Sequence, residues 1–421
     1  MSPAVPLSVL DLIPISSGSN AGEAARNAID LAQSAERFGY GRYWFAEHHL
    51  NPGIIGVAPA VAIALVAQAT ESIRLGSAGV QFGHRTPLSA VEEFGLISAL
   101  HPGRLDLGIG RSPGRTKPKD PTVVETDAES RAALAEGIAS YLTLNADAHR
   151  EDQRTDNGLL LPKKFDYSTS FSPEKIAHLF SVLQQPGAWV PSYAEQIDEV
   201  LALLDGTFES SYGFEAHAHP AEEADLQLWI LGANGGESAT VAGEKGLRFV
   251  AGYHHSPATV IDAVSAYRAA FRPSEAVPEP YVAVSADVVV GESDEHAAEL
   301  ASGFRHWVRS IRTGAGAIPF PSAEEAAALP WGPDDDPIVA DRVKTQIVGS
   351  PRTAVERLAQ LRDATGAQEL VITTITHDHA DRVRSYELLA DAWPGVGGAR
   401  IGAAAGSRIG GSAARGVPAR A

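Results

Sequence analysis

A glutamate and two adjacent histidines, Glu47-His48-His49, follow directly after an apolar run near the start of the chain. An imidazole titrates near neutral pH, so a histidine in a pocket could donate a proton or a hydrogen bond to a reacting molecule. Adjacent residues of a strand point to opposite faces, and therefore only one of His48 and His49 can look into a shared pocket. The tripeptide alone leaves a second interpretation open, in which both histidines pack beneath loops and bind backbone groups.

A second set of small and polar residues has the composition of a phosphate site. Arg111 comes directly after an apolar run, and its guanidinium is suited to bidentate phosphate binding. Residues 232–238, GANGGES, lead from another apolar run into a helix, so backbone N–H groups and the Ser238 hydroxyl are offered at a helix N-terminus. Together they indicate a phosphorylated cofactor or substrate without choosing among chemistries.

Composition excludes several classes of function. The 421 residues include no cysteine, which rules out thiolate metal sites, iron–sulfur clusters and cysteine nucleophiles. The 34 Lys and Arg against 52 Asp and Glu give a net charge of −18, which argues against general affinity for nucleic acid or anionic membranes. We find neither a signal peptide nor an apolar run of about 18 residues, so we expect a soluble, cytoplasmic protein that does not enter a membrane.

Histidine pairs elsewhere do not make a predicted metal centre. His377 and His379 could present two ligands on one side of an extended chain, but no further ligands are placed by spacing. His217 and His219 lie in an irregular stretch and are interpreted as surface residues. We therefore expect no metal in the site.

Short apolar runs alternate with longer amphipathic ones, which is the pattern of strands and helices in turn. Parallel neighbours need long crossover connections, and eight such units favour a closed (β/α)8 barrel, an α/β TIM barrel, over an open sheet. The predicted strands are residues 7–14, 42–46, 74–82, 104–110, 226–232, 248–252, 281–290 and 369–375, and the predicted helices include residues 21–38, 58–70, 87–100, 128–144 and 192–204.

Three stretches depart from the alternation. Residues 145–225 are rich in charge, Pro and His and are predicted to be an insertion between strands four and five. Residues 313–340 are rich in Gly, Pro and Asp and are predicted to form a mobile loop at the active site. The Gly/Ala/Arg-rich tail 397–421 is predicted to be disordered, which leaves residues 1–396 as the one folded domain.

Function in such barrels collects at the C-terminal ends of the strands, so the motifs at those ends are compared together. Four segments, taken in chain order, resemble the bacterial luciferase-like flavin monooxygenases: RYWFAEHH, RLGSAGVQF, HPGRLDLGIGRSPG and LWILGANGGESATVAGEKGL. The later segments VGSPRTAVERLAQL, GAQELVITTITHD and RSYELLAD also resemble that family, so the resemblance runs through roughly residues 7–393.

The resemblance implies a reduced-flavin site in the barrel mouth. His48 corresponds to the family's active-site histidine, with Glu47 beside it as support. Ala78-Gly79 falls where the family often has a non-prolyl cis peptide or a bulge under the isoalloxazine ring. Gly110, where luciferases have a cysteine, leaves room instead of a thiol.

The resemblance also implies the phosphate end of that site. Arg111 matches the family's phosphate-binding arginine, and Asn234, Gly235 and Ser238 match its phosphate loop after strand five. Many relatives have Ser-Ser where this chain has Ala233-Asn234, a mild departure because the backbone donors remain.

The implied activity is oxidation of a small organic substrate by reduced FMN and O2 through a C4a-peroxyflavin, with the FMN reduced by a separate NAD(P)H flavin reductase. Loop 313–340 would close over the site, and a homodimer is expected by the same resemblance. Two alternatives stay open: a deazaflavin-dependent hydride-transfer enzyme of the same fold, and a flavin-binding protein without turnover.

Overall fold

The computed structural model describes residues 5–112, 151–166, 178, 181–185 and 188–394, and its elements alternate between strand and helix along most of that length. The strands are β1 (Leu7–Asp11), β2 (Arg42–Phe45), β3 (Arg74–Ser77), β4 (Val80–Gln81), β5 (Leu105–Gly110), β6 (Gln153–Arg154), β7 (Leu160–Leu161), β8 (Leu226–Gly232), β9 (Arg248–Gly252), β10 (Val282–Val290), β11 (Ile347–Gly349) and β12 (Glu369–Thr373). The helices are α1 (Ala21–Phe38), α2 (Pro59–Ala67), α3 (Pro87–Leu100), α4 (Tyr193–Leu204), α5 (Glu237–Glu244), α6 (Val260–Ala270), α7 (Asp294–Leu300), α8 (Phe304–Arg312), α9 (Ala323–Ala328), α10 (Asp336–Thr345), α11 (Pro351–Thr365) and α12 (His379–Ala392).

Eight parallel strands close into a barrel, which confirms the predicted TIM-barrel fold. The cyclic order is β1, β2, β3, β5, β8, β9, β10 and β12, and β12 pairs again with β1. β11 adds a short parallel pairing to the end of β10. Within the described part of the chain, no helix has both the length and the apolar character needed to cross a bilayer.

The third predicted strand, residues 74–82, is two separate strands in the structure, β3 and β4. Its peptide bond between Ala78 and Gly79 is cis and separates β3 from β4. β3 pairs with both β2 and β5, whereas β4 pairs only with β5, so the run changes neighbours where it breaks.

The stretch between the fourth and fifth barrel strands contains regular structure in its described part. β6 and β7 form an antiparallel hairpin. α4 begins at a capping box, in which Ser192 and Glu195 satisfy each other's backbone N–H groups, and it packs beside α3 as the crossover helix before β8. The predicted helix at residues 128–144 and the tail 397–421 lie outside the described residues.

A buried charged layer closes the base of the barrel, near the N-terminal ends of the strands. Arg42 Nη1 lies 2.7 Å from Asp106 Oδ2, and Arg42 Nε lies 3.1 Å from Glu369 Oε1. Arg74 Nη2 lies 2.8 Å from the other Asp106 oxygen. Burial would raise the pKa of Asp106, but the charges of Arg42 and Arg74 outweigh it and lower that pKa. These ion pairs join β2, β3, β5 and β12 with compensated charge.

Above this layer, two tryptophans fill the barrel, and glycines on neighbouring strands allow close packing. A Cβ added to Gly76, the neighbour of Trp44 on β3, would lie 2.7 Å from the Trp44 ring. Trp44 and Trp229 meet edge to face with 5.0 Å between ring centroids. Gly108, the neighbour of Trp229 on β5, lies so close to β3 that an added Cβ would be 1.9 Å from the Ser77 carbonyl oxygen. A Cβ on Gly110, one step nearer the mouth, would have no atom closer than 3.7 Å. The strands are therefore tightly packed inside and open at the mouth.

This difference predicts opposite results for two glycine-to-alanine changes on the same strand. Gly108→Ala should lower the free energy of unfolding by about 3 kcal/mol or more, because overpacking a filled core forces backbone shifts. Gly110→Ala, the matched control, should change it by less than about 0.5 kcal/mol. Urea unfolding followed by circular dichroism measures both, and equal stability of the two variants would contradict the packing described here.

Candidate active site

The predicted site residues lie at one end of the barrel, where the C-terminal ends of the strands meet. The segment 46–49 follows β2, Ala78–Gly79 lies between β3 and β4, Arg111 follows β5, and residues 233–238 follow β8. This end of the barrel is called the mouth from here on.

The side chains of the Glu47-His48-His49 tripeptide, which follows the end of β2, lie in different surroundings. The His48 imidazole is exposed at the mouth, whereas Glu47 is buried and its carboxylate bonds to His49. The His48 backbone N–H donates to the Gly56 carbonyl at 2.7 Å, which fixes the chain at this point. The two histidines therefore face different surroundings, as the alternation predicts.

His48 shares the mouth with two further histidines. β2 and β9 lie opposite each other in the barrel, and His254 and His255 follow β9. Burial lowers the pKa of both histidines, and the charges of Arg342 and His48 add to this effect. The His254 and His255 rings lie 4.5 Å apart between centroids. His254 Nδ1 lies 2.6 Å from Ser285 Oγ on β10. The sequence places His254 and His255 at a strand end, but it carries no signal that they face His48.

The pKa of His48 is lowered to about 4. The surrounding barrel rim desolvates the imidazole although solvent reaches it, and the charge of His49 adds to this effect, while Glu47 opposes it. His48 is therefore neutral at pH 7, and a neutral imidazole can donate from one ring nitrogen and accept at the other.

Glu47 organises the loop beneath the mouth. Its Oε1 lies 2.9 Å from His49 Nε2, 3.1 Å from His84 Nε2 and 3.3 Å from Arg85 Nη2. Its Oε2 accepts the Gln81 backbone N–H at 2.9 Å. Burial opposes ionisation of Glu47, but the hydrogen bonds from His49 and His84 and the charge of Arg85 lower its pKa to about 2.

The Glu47 carboxylate makes no hydrogen bond to His48 within the described residues. Its contacts tie the end of β2 to the residues after β4. Sequence reasoning missed His84 and Arg85 as its partners; their only signal is that they follow the third strand in FGHRTP.

Small residues form the floor of the mouth on the β3–β5 side. Ala78 and Leu231 both pack against the apolar cluster that contains Trp44 and Trp229. A Cβ on Gly79 would lie 2.8 Å from the Gly110 backbone nitrogen, so only glycine allows this approach. A Cβ on Gly110 would make only ordinary van der Waals contacts, at 3.7 Å or more. A flat ring could therefore lie against the backbone here.

The β5–β8 side of the mouth has the polar groups of an anion site. Arg111 Nε lies 3.3 Å from Glu237 Oε2, the first residue of α5. Asn234 Oδ1 accepts the Gly236 backbone N–H at 2.8 Å, and Gly236 is the N-cap of α5. Ser238 lies in the first turn of that helix, where backbone N–H groups are not used by the helix itself.

Arg111 thus lies next to the predicted phosphate loop. Its contact there is an ion pair with Glu237, a residue to which sequence reasoning assigned no role. Glu237 is part of the GANGGES motif, so its position was visible. Its pairing with Arg111 was not, because it depends on how β5 and β8 stand side by side. Gly235 packs against α6, where an added Cβ would lie 3.1 Å from the Asp262 carbonyl oxygen.

A cap made of α8, α10 and the segment 317–320 covers the β1–β10–β12 side of the mouth. Phe304, Trp307 and Phe320 of the cap pack with Leu12 and Ile375 of the barrel. The predicted mobile loop 313–340 coincides with much of this cap and contains α9 and the start of α10.

One ion pair fastens the cap to the barrel and adds polar groups to the mouth. Arg342 Nη2 on α10 lies 2.9 Å from Asp287 Oδ2 on β10, and burial raises the pKa of Asp287 against the opposing charge of Arg342. Arg342 Nε and His255 Nδ1 are buried and have no hydrogen-bond partner in the described part of the chain. These residues carried no motif in the sequence.

Comparisons with known proteins show the family and the fold to which this chain is similar. The family model for luciferase-like monooxygenases matches residues 5–151 and 187–369. The uncharacterised protein YvbT of Bacillus subtilis (strain 168) is 32% identical over 390 residues, which are 92% of this chain and 96% of YvbT. The crystal structure of apo-MsnO8 is 28% identical, superimposes with a TM-score of 0.70, and covers 93% of this chain and 98% of its own.

A shorter match is closer in sequence. The N-acetyl-S-alkylcysteine monooxygenase of Bacillus subtilis (strain 168) is 46% identical over 108 residues, which are 26% of this chain and 32% of that protein. The family model covers most of the barrel, including the residues that form the mouth. The chain therefore belongs to the luciferase-like monooxygenase family.

Proposed function

We propose that the protein is a flavin-dependent monooxygenase that oxidises a small organic substrate with reduced FMN and O2. The observation that carries the proposal is that a floor of small residues and an anion site lie on adjacent strands, below an exposed and neutral His48. Bound reduced FMN would supply the electrons that activate O2. A separate reductase would supply the reduced flavin, and the protein would work in the cytoplasm as a homodimer.

The residues of the mouth fit the two ends of FMN. Ala78, Gly79 and Gly110 leave backbone and open space for a flat ring, a fit that side chains at these glycines would remove. Arg111, Ser238 and the backbone N–H groups of Asn234 and Gly235 would hold the phosphate at the start of α5. Arg111 would exchange its Glu237 partner for the phosphate.

His48 is proposed as the catalytic group of this chain. Because its pKa is about 4, it is neutral at pH 7 and could accept a hydrogen bond from the bound flavin or substrate, or hold a proton for either. Glu47 is a positioning residue in this scheme, since its carboxylate fixes the loop from which His48 projects. The cap would exclude water from the mouth.

The substrate pocket would lie between the flavin floor and the cap. Arg342 and His255 offer buried nitrogen atoms without partners there, which suits an anionic group. The local match to an N-acetyl-S-alkylcysteine monooxygenase supports placing S-alkyl cysteine derivatives, which carry a carboxylate, first in a substrate screen.

The cofactor and the reaction type are tested by one titration. The purified protein is titrated without oxygen with reduced FMN and with reduced deazaflavin, and is then mixed rapidly with oxygenated buffer. We expect tight binding of reduced FMN and a transient absorbance that is neither that of reduced nor that of oxidised flavin. Preference for deazaflavin with no oxygen-dependent transient would instead indicate hydride transfer, and tight binding of oxidised flavin alone would indicate a protein without turnover.

Replacing His48 tests its catalytic role. His48→Ala should lower turnover by about 100-fold or more, the usual contribution of a positioned acid or base, while FMN affinity stays nearly unchanged. His101→Ala, at the other end of the barrel after α3, is the matched control and should keep full turnover. Steady-state kinetics and FMN titration measure the two effects, and normal turnover of His48→Ala would remove His48 from the mechanism.

Two changes on either side of the Arg111–Glu237 ion pair should move FMN affinity in opposite directions. Arg111→Gln should weaken FMN binding by about 10- to 100-fold, because a charge-assisted bond to phosphate is lost. Glu237→Gln should strengthen it, because a competing carboxylate is removed. Riboflavin has no phosphate, so its affinity should be unchanged in both. Equal effects on FMN and riboflavin would place the phosphate elsewhere.

A further inference from the structure

The chain contains a cluster of histidine and glutamate side chains far from the mouth, in the loop between α4 and β8. His217, His219 and Glu222 place their possible ligand atoms within 4.8 Å of one another. This loop leads to the N-terminal end of β8, so the cluster lies at the base of the barrel, opposite the flavin site. The proposed function makes no use of it.

Backbone geometry explains why the two imidazoles stand together. Ala218 is fully buried between them, so the extended chain turns both neighbouring side chains out to the same side. The His217 and His219 rings are nearly parallel, with 5.6 Å between centroids and 13° between planes. The position of the pair is fixed by a buried residue and does not depend on flexible side chains alone.

Glu222 provides a carboxylate that both imidazoles face with the same ring nitrogen. Glu222 Oε1 lies 3.0 Å from His217 Nδ1, and its Oε2 lies 4.0 Å from His219 Nδ1. Ligand atoms of a tetrahedral zinc ion are about 3.3 Å apart, given metal–ligand bonds of about 2.0 Å. The His217 distance is shorter than that value and the His219 distance is longer, so binding would draw the exposed His219 side chain closer to the carboxylate.

A second carboxylate stands behind His217. Glu215 Oε2 lies 3.8 Å from His217 Nε2, the ring nitrogen that points away from Glu222. Histidines that bind metals usually donate their other N–H to a carboxylate, which fixes the ring and makes it a better ligand. The distance exceeds that of a hydrogen bond, and the exposed Glu215 side chain would have to move closer to His217 to take this role.

Charge distinguishes this cluster from the similar set around Glu47. Glu47, His49 and His84 also have the right donor atoms, but Arg85 lies 3.3 Å from the carboxylate and would repel a cation. In the described part of the chain, no Lys or Arg pairs with Glu215 or Glu222. The loop is therefore the more favourable place for a positive ion.

We propose that His217, His219 and Glu222 bind a divalent cation of the zinc class, with water as the fourth ligand and Glu215 behind His217. Two imidazole nitrogens and a carboxylate oxygen are ligands that Zn²⁺ favours over Mg²⁺ or Ca²⁺. Binding would hold the segment 216–220 against the short 3-10 helix Ala221–Glu223, whose Ala221 packs on α3 at Gly95. The ion would stabilise the base of the barrel and take no part in catalysis.

The site is tested with the full chain, freed of metal by dialysis against a chelator, and ZnCl₂ as the probe in isothermal titration calorimetry. We expect one ion per chain and a rise in Tm on adding zinc. His217→Ala/His219→Ala should weaken binding by more than about 100-fold, and Glu215→Gln by about 10-fold. His84→Asn, in the cluster around Glu47, is the control and should bind zinc like the unchanged protein.

Two results would overturn the proposal: the unchanged protein fails to bind zinc at millimolar concentration, or the His217→Ala/His219→Ala variant binds it as well as the unchanged protein does. Because both histidines are exposed, the metal-free variant should keep the circular dichroism spectrum and Tm of the metal-free parent. A loss of zinc binding is then not a loss of fold.

Discussion

At the base of the barrel, a buried arginine on β2 holds carboxylates from β5 and β12, and the positions of the mouth residues follow from it. Steps of two lead from Arg42 through Trp44 on β2 to His48, three residues beyond the end of that strand, and steps of two along β5 lead from Asp106 to Gly110. A slip of one residue would turn His48 out of the mouth and leave a charge buried without its partner, which costs about 3–5 kcal/mol. The ion pairs at the base and the position of His48 at the mouth therefore depend on the same strand register.

Above that base, large side chains fill the barrel interior, whereas small residues line the mouth. Trp44 and Trp229 occupy the interior, and the neighbouring strands carry glycine to admit them. The same use of small residues continues upward to Gly79 and Gly110, where no aromatic ring fills the space. Glycine residues therefore allow close packing in the interior and leave room for a ligand at the strand ends.

Much of the fold was predictable because it rests on local periodicity. α1 and α3 have the predicted bounds, since each has a polar N-cap before a continuous helical pattern. The separation of His48 from His49 followed from the two-residue repeat of a strand. The roles of Arg111 and Ser238 came from the family resemblance, because hydrophobic periodicity alone does not assign a role to a residue. These roles remain proposals.

The remaining features depend on contacts between residues distant in sequence. Glu47 meets His84 and Arg85, which lie more than 30 residues further along the chain, and the pattern of charges does not reveal such pairs. The segment 313–340 has the composition of a loop because Gly and Pro interrupt its short helices, whereas Ala317, Phe320 and Val339 are buried in a cluster with barrel residues. Local sequence indicates neither relation.

The cap arises from one continuous stretch between β10 and β12 and contributes no strand to the closed barrel. Its residues touch the mouth from one side, while the histidine, the glycine floor and the Arg111 end belong to other strands. The cap residues could therefore change in evolution without altering the register of the barrel strands. Under the proposed function, divergence of residues 294–345 would change the substrate while the proposed flavin-binding residues of the other strands stay the same.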